Sequence, residues 1–400
     1  MSSENKEQTI IQFASALVDD LLVTSDDALL AEAKEDHGSV DKALGEIDAE
    51  IEAAIKSLGK DRLAEARLAV AQCDQKDIDQ VLDEAEARKQ VEELISSSEF
   101  RARMTLAARN GKESCEHDIL SAMSDLCELS RLSRFIPRPE FGSAPKAEGI
   151  LKDLGVTDPK EIEVEAIAWH LGARVRYRSL QNCEARIVGA GDAAIITVDE
   201  GVSPQRKRFS VCHELGHWIH HRKRIIFCGA DEIELPSADS ASLERAADRF
   251  ASELLMPAYL FVPIAQSLGR PSMHVVRRLS EIFNTSLTAT AIRLVEINAL
   301  PILLASHGRS GRRWFARSQS VTGAWMPRSI LSHDSAAFTM IFGRAPAAMP
   351  PKSVSASNWF ERHDASRFEV VEESVRTGAN EVLTLLAFKN AHEFLKYSHY

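Results

Sequence analysis

Residues 206–217 read Arg-Lys-Arg-Phe-Ser-Val-Cys-His-Glu-Leu-Gly-His and form the most informative motif of the chain. Its last five residues contain His213 and His217, four positions apart, with Glu214 directly after the first histidine. On an α-helix this spacing places both imidazoles on one side, where they can bind the same metal ion. We therefore expect a helix over this run, with a metal site on one of its faces.

The glutamate between the histidines has a separate role in such an arrangement. Glu214 would lie beside the metal without binding it, so its carboxylate can take a proton from a water molecule that the metal acidifies and pass it to a leaving amine. This chemistry is peptide hydrolysis. In a chain with 13 histidines, the His-Glu-x-x-His pattern is expected by chance only about 0.03 times.

A third ligand follows further along the chain. Glu244 lies 27 residues after His217 and opens a helical run in which Glu244 and Asp248 share one face. We expect Glu244 to bind the metal and Asp248 to accept the second ring N–H of a ligand histidine. Three protein ligands leave one position open, as in catalytic sites for Zn2+, although Mn2+ remains an alternative.

The composition is that of a folded intracellular protein. The chain has 400 residues, 44% of them hydrophobic and 27% charged, which predicts two or three units with real cores. It contains no apolar run of about 18 residues and no signal-like start, so we expect no membrane or secretory role. Six cysteines without a CxxC pair favour reduced thiols and a cytoplasmic location.

The first 135 residues are predicted to form an acidic, all-helical region. They hold 16 Lys and Arg against 30 Asp and Glu, a net charge of −14, and they lack proline. Gly38 and Gly59 are the expected breaks between its helices. The region has no catalytic signature, and four roles stay open: partner binding, autoinhibition, stabilisation and dimerisation.

Three prolines between residues 137 and 145 predict the first domain boundary. Beyond it we expect an α+β protein: a zincin-like metallopeptidase core with a small β-sheet over 136–270, a helix-turn-helix-like segment over 271–299, and a small α+β domain over 300–400. Short strands are predicted at 173–177, 186–188 and 194–198, with a second hairpin within 368–388.

Two motifs, residues 206–217 and residues 244–257 (Glu-Arg-Ala-Ala-Asp-Arg-Phe-Ala-Ser-Glu-Leu-Leu-Met-Pro), resemble the ImmA/IrrE metallopeptidases. The resemblance covers about residues 145–300. It implies a cytoplasmic zinc endopeptidase that cleaves a helix-turn-helix repressor and so induces genes for mobile elements, phage defence or DNA damage. It assigns His213, His217 and Glu244 as ligands and Glu214 as the base. Cys212 and Ala246 depart from residues common in the family, but neither removes a ligand.

The competing function is a noncatalytic DNA-binding regulator that keeps the metal for stability. In that interpretation Arg277, Arg278 and Arg293 of the helix-turn-helix-like segment contact phosphates, whereas the alternative is that the segment forms core. A related open choice is whether the strand Ile195–Val198 offers a free edge to a substrate peptide or lies inside the sheet.

The C-terminal domain and the cysteines raise two further hypotheses. IrrE-like relatives carry a sensor-like C-terminal domain, and the resemblance therefore favours a nucleic acid or small-molecule activator there. Its candidate contacts are aromatic or cationic, with core packing as the alternative for the aromatics: Trp314, Trp325, Trp359, Phe360, Arg309, Arg312, Arg313 and Arg317. A cysteine that caps the metal in a latent form is a further hypothesis, and the alternative is that the cysteines are buried, inert thiols. Cys115 and Cys183 suit capping better than Cys212, which points about 100° away from His213.

Overall fold

The computed structural model of the chain describes residues 15–16, 18–20, 22–79, 124–125, 128–129, 136–137, 145–180, 183–190, 192–220, 238–298, 300–343 and 345–397. The predicted helices between residues 80 and 123, and Cys115 among them, lie outside the described residues. In the part of the chain that is described, no helix is both long and apolar enough to cross a membrane.

Helices and two sheets alternate along the described chain. The helices are α1 (Asp26–His37), α2 (Val40–Asp79), α3 (Ala147–Asp153), α4 (Val164–His170), α5 (Pro204–His220), α6 (Ala238–Leu255), α7 (Ala258–Leu268), α8 (Met273–Phe283), α9 (Leu287–Ile297), α10 (Ala336–Phe342) and α11 (Ala391–Tyr397). The strands are β1 (Ala173–Arg178), β2 (Ala185–Ala190), β3 (Ala193–Asp199), β4 (Ile302–Gly308), β5 (Gly311–Arg317), β6 (Lys352–Ser355), β7 (Glu369–Gly378) and β8 (Glu381–Phe388). This mixture confirms the α+β class.

The first sheet has three strands in the order β1-β3-β2. β1 runs parallel to β3, and β2 pairs with it antiparallel as the predicted hairpin. Because β3 has a partner on each side, the hypothesis that Ile195–Val198 offers a free edge is wrong. Local alternation identified the strand but could not identify its neighbours.

The two faces of this sheet have different partners. Trp218 of α5 covers one face at Gly189, where an added Cβ would lie 2.7 Å from the indole ring. The opposite face presents four arginines and a threonine that hold two carboxylates from the acidic region: Arg174, Arg176, Arg178, Arg186, Thr197, Asp125 and Glu128. The acidic region therefore contacts the sheet on the side away from α5.

The prediction that Gly59 separates two helices is wrong, whereas Gly38 does end α1 in a left-handed conformation with φ 81°. α2 continues through Gly59, where it crosses the end of α3 so closely that an added Cβ would lie 2.5 Å from the carbonyl oxygen of Asp153. Leu63 and Ala66 of α2 are buried in the same core as α4 and α5. Gly59 thus marks a helix crossing.

The segment after α7 forms two helices joined by a short turn, as predicted from residues 272–298. Ser272 caps α8 and Ser286 caps α9, and Asn284 takes the left-handed conformation between them, with φ 49°. Arg293 is buried, and its Nε donates to the carbonyl oxygen of Met256 at 3.0 Å. Of the two roles considered for Arg293, burial therefore supports core packing and contradicts a phosphate contact.

The second sheet has five strands in the order β5-β4-β8-β7-β6, and every neighbouring pair is antiparallel. The predicted hairpin is β7–β8. Trp325 is fully buried against one face, with its ring 5.2 Å from Phe360 and 5.1 Å from Phe388 between centroids. Trp359 is buried as well, so these aromatics form core, which was the alternative to a role in lining a ligand pocket.

Candidate metal centre

The helix that carries both histidines starts at a defined cap. The Ser203 side chain accepts a hydrogen bond from the backbone N–H of Arg206 at 3.3 Å, and Pro204 occupies the first turn, where its missing N–H has no cost. α5 then runs to His220 without interruption. His213 and His217 consequently lie one turn apart, with ring centroids separated by 4.8 Å.

Helix α6 brings Glu244 to the two imidazoles because it approaches α5 closely at Gly216. A Cβ added to Gly216 would lie 3.0 Å from Cα of Ala247 and 3.2 Å from Cβ of Phe250. The absence of a side chain at Gly216 therefore lets the two helix backbones meet. Position 216 is unspecified in the His-Glu-x-x-His pattern, and the interhelical contact gives this glycine a structural role.

Three ligand-type side chains converge at this crossing. Nε2 of His213 lies 3.1 Å from Nε2 of His217, and the two Glu244 oxygens lie 3.2 Å from the first and 3.3 Å from the second of these nitrogens. Tetrahedral ligands at about 2.0–2.1 Å from a zinc ion are about 3.3–3.4 Å apart. The spacing and the His-His-Glu donor set thus fit a metal of this kind.

Asp248 lies one helical turn after Glu244 and contacts the far side of the first imidazole. Its Oδ1 is 2.9 Å from Nδ1 of His213. A proton on Nδ1 leaves Nε2 of His213 with its lone pair facing Glu244 and His217, which is the tautomer that a metal requires. The structure therefore brings together the four side chains that the sequence pattern placed at the site.

Glu214 is buried beside this cluster. Only 5% of the residue is exposed, and its Oε2 has no hydrogen-bond partner among the described residues. Burial raises the pKa of Glu214 to about 8; His213 opposes the rise and Glu244 adds to it. For His213, burial lowers the pKa, but Asp248, Glu214 and Glu244 together raise it above the usual value.

The described cysteines have different surroundings. Cys212 is fully buried, and burial raises the pKa of its thiol to about 12, although Arg208 opposes that rise. A thiol in this state is a poor metal ligand, which agrees with its low rank among the capping candidates. Cys183 is half-buried at the start of the β2–β3 hairpin.

Three of the four candidate arginines of the C-terminal domain already have partners. Arg312 donates to the carbonyl oxygen of Pro327 and lies over the ring of Phe315, and Arg313 contacts Glu381 at 3.2 Å. Arg317 donates to a backbone carbonyl oxygen, while Arg309 is exposed. These contacts connect β5 with β8 and with the segment that follows β5.

Residues 168–295 match the family described as Peptidase_M78, the IrrE N-terminal-like domain. The matched range contains both helices of the candidate site, and the match confirms the resemblance to ImmA/IrrE proteins. A solved structure described as a Mycobacterium tuberculosis transcriptional regulator is 14% identical to the chain, with a TM-score of 0.41, and the alignment covers 63% of this chain and 90% of that one. No curated protein matches the chain.

Proposed function

We propose that this chain, which carries an IrrE N-terminal-like domain at residues 168–295, is a metal-dependent, site-specific endopeptidase with a zincin-like core. His213, His217 and Glu244 hold the metal, Glu214 is the catalytic base, and Asp248 orients His213. Zn2+ suits two imidazoles and a carboxylate, with Mn2+ as the alternative.

The convergence of the three ligand-type side chains is the observation that carries this proposal. Their polar atoms are 3.1, 3.2 and 3.3 Å apart, and the buried Glu214 follows His213 directly in the chain. A buried carboxylate oxygen without a described hydrogen-bond partner lowers the stability of the fold, because it has lost its hydration without gaining a partner. A reaction that occurs at this oxygen explains why it is retained.

A divalent cation bound at this site would polarise a peptide carbonyl and acidify water. The protein groups supply the remaining chemistry. Glu214 accepts the proton of the attacking water and then donates it to the nitrogen of the leaving amine. His213, His217 and Glu244 are fixed by helix packing, so the site needs little rearrangement when substrate binds.

The free edge of β2 suits the substrate peptide. Within the described residues β2 pairs with β3 alone, and Gly189 near its end contacts Trp218, the residue directly after His217. An extended peptide added along β2 would form backbone hydrogen bonds while passing the metal helix. This replaces the earlier hypothesis that β3 provides the edge.

The proposed substrate is a helix-turn-helix transcriptional repressor in the cytoplasm, as the family resemblance implies. Its cleavage would induce a stress, DNA-damage, mobile-element or phage-defence response. Activation by a nucleic acid or a small molecule through residues 300–400 stays part of this proposal. The described contacts of that domain identify no ligand.

The test compares new protein N-termini in host cells that carry the natural chain, Glu214→Gln or the exposed control Glu200→Gln, before and after DNA damage. We expect a new terminus within one repressor in cells with the natural chain or Glu200→Gln, and none with Glu214→Gln. Equal termini in all three strains would contradict catalysis by Glu214.

The same variants separate the peptidase from a noncatalytic DNA-binding regulator. Glu214→Gln removes the base but keeps the three ligands, so it should spare metal content and fold. Normal gene switching by Glu214→Gln would favour the regulator. The structure offers that alternative little support, because Arg293 is buried and Arg278 already pairs with Glu281 at 2.7 Å.

A further inference from the structure

The first half of α2 carries an apolar stripe that the described residues leave uncovered. Its members are 50–58% exposed, although aliphatic side chains are usually buried: Leu44, Ile47, Ile51, Ile55 and Leu58. At about 100° per residue, the five positions lie within about 80° of one another. A continuous apolar face of this kind marks an interaction site.

The stripe continues an interface that is already formed. Ala69 and Cys73 lie at the same angular position further along α2, and both pack against the core of the peptidase domain. The crossing at Gly59, together with the 2.8 Å contact of Lys60 with Glu161, fixes α2 against that domain. A partner on the stripe would therefore lie beside the peptidase domain.

The charges along both sides of the stripe are acidic, and one cation, Arg62, lies at its end, one turn after Leu58. Asp41, Asp48 and Glu52 follow one side and Glu50 the other, and all four are exposed. None of the four forms an ion pair within the described residues. The lysines of this half of α2 lie on the opposite face of the helix: Lys42, Lys56 and Lys60.

The acidic borders of the stripe favour one kind of binding partner over another. Two copies of the stripe would bring acidic borders together, and like charges beside a helix–helix interface disfavour pairing. A helix with Lys or Arg along its apolar face would instead form complementary pairs. Proteins that bind DNA carry such basic surfaces because they neutralise phosphates.

We propose that the Leu44–Leu58 stripe is a docking site for a basic amphipathic helix of the substrate protein. This inference rests on the proposed function, because it takes the substrate to be a DNA-binding repressor. The site recruits the substrate away from the metal, so its loss raises KM for the whole protein substrate and leaves kcat unchanged.

The binding test uses the full chain with Glu214→Gln, which keeps any bound sequence intact. Two synthetic helical peptides of about 18 residues have the same leucine face. In the basic peptide Lys and Arg flank this face, and in the acidic peptide Glu takes their place. We expect the basic peptide alone to bind by fluorescence anisotropy, and more weakly as salt rises. Ile51→Ser should weaken binding about tenfold. The matched control, Leu68→Ser, changes an exposed apolar residue of α2 outside the stripe and should have no effect.

The outcomes separate this inference from the proposed function. Equal binding of both peptides, or equal loss with Ile51→Ser and Leu68→Ser, would overturn the docking site while leaving cleavage in cells untouched. Self-association by sedimentation that Ile51→Ser abolishes would also overturn it, because a second copy would then occupy the stripe. Selective binding of the basic peptide without any cleavage in cells would support the site and remove the peptidase proposal.

Discussion

Nδ1 of His213 lies 2.9 Å from Oδ1 of Asp248, while Nε2 of the same ring lies 3.2 Å from Glu244. One imidazole thus joins two residues of α6 that are one helical turn apart. A hydrogen bond to Nδ1 fixes the ring orientation and raises the basicity of Nε2, the nitrogen that would bind the proposed metal. We therefore expect the metal affinity to depend on Asp248, which is not one of the proposed ligands.

Asp248→Asn should weaken metal binding about 10- to 100-fold without unfolding the protein, because an amide is a poorer acceptor for the ring N–H. Competition with a chromogenic chelator measures the affinity. Glu253→Gln is the control, since Glu253 pairs with Arg249 on the same helix. Equal affinities in the two variants would mean that Asp248 does not orient His213.

Two glycines of α2 should respond in opposite directions to alanine. Gly45 has no atom within 4 Å of an added Cβ, so Gly45→Ala should stabilise the protein by about 0.5–1 kcal/mol through helix propensity. At Gly59 the Cβ would meet backbone atoms of Asp153 and Gly155, and Gly59→Ala should destabilise it by about 1–3 kcal/mol. Urea unfolding of the full chain measures both. Stabilisation by both substitutions would disprove the close crossing.

Glu161 should make part of the stability depend on pH. Burial opposes the shift, but hydrogen bonds from Lys60 and from the backbone N–H groups of Thr157 and Asp158 lower the pKa of Glu161 from 4.5 to about 2. A carboxyl whose pKa is lower in the folded state stabilises the fold above about pH 4.5, and this contribution is lost as the pH falls toward 2.

Glu161→Gln should therefore cost about 1–2 kcal/mol at pH 6 and much less at pH 3, after allowance for partial solvent screening. Unfolding free energies of the full chain at the two pH values give the difference. Glu200→Gln, on an exposed turn, should show no such change between them. An equal cost of Glu161→Gln at both pH values would assign its role to packing.

Local sequence patterns predicted where helices and strands lie better than they predicted which strands pair with each other. The alternation around Ile187 and Ile196 predicted the β2–β3 hairpin because strand period and a glycine-bearing loop are local properties. The order β1-β3-β2 also depends on which strand pairs with β3 on its other side. That pairing involves β1, which lies outside the hairpin, so the five residues of β3 alone could not predict it. The helix that carries His213 and His217 was predictable because a shared metal site would require their i, i+4 spacing.

Gly59 and Arg293 show why single residues were harder to interpret. Gly59 was expected to break a helix, and a phosphate contact was considered for Arg293 beside a core role, because glycine is a poor helix former and arginine is usually exposed. In the structure a neighbouring backbone requires the glycine, and the carbonyl oxygen of Met256 accepts from the arginine. Both depend on groups distant in sequence, which intrinsic preferences do not describe.

The buried ion pair of Asp125 and Arg186 joins the acidic region to the first sheet, and its loss should lower the free energy of unfolding. Asp125 is fully buried, and its Oδ2 accepts from Arg186 Nη2 at 2.6 Å and from Thr197 at 2.9 Å. Asp125→Ala would leave a guanidinium with 7% exposure without this carboxylate. We expect a loss of about 3–5 kcal/mol in the unfolding free energy, measured by urea titration of the full chain.

The pair of Glu184 and Arg206 provides the control, because both of its side chains are about half exposed. Glu184→Ala should cost no more than about 1 kcal/mol, as exposed pairs do. Replacing both buried partners, Asp125→Leu with Arg186→Met, should restore much of the loss, because no buried charge of this pair then remains. If Asp125→Ala costs no more than Glu184→Ala, the carboxylate of Asp125 does not anchor the acidic region to the sheet.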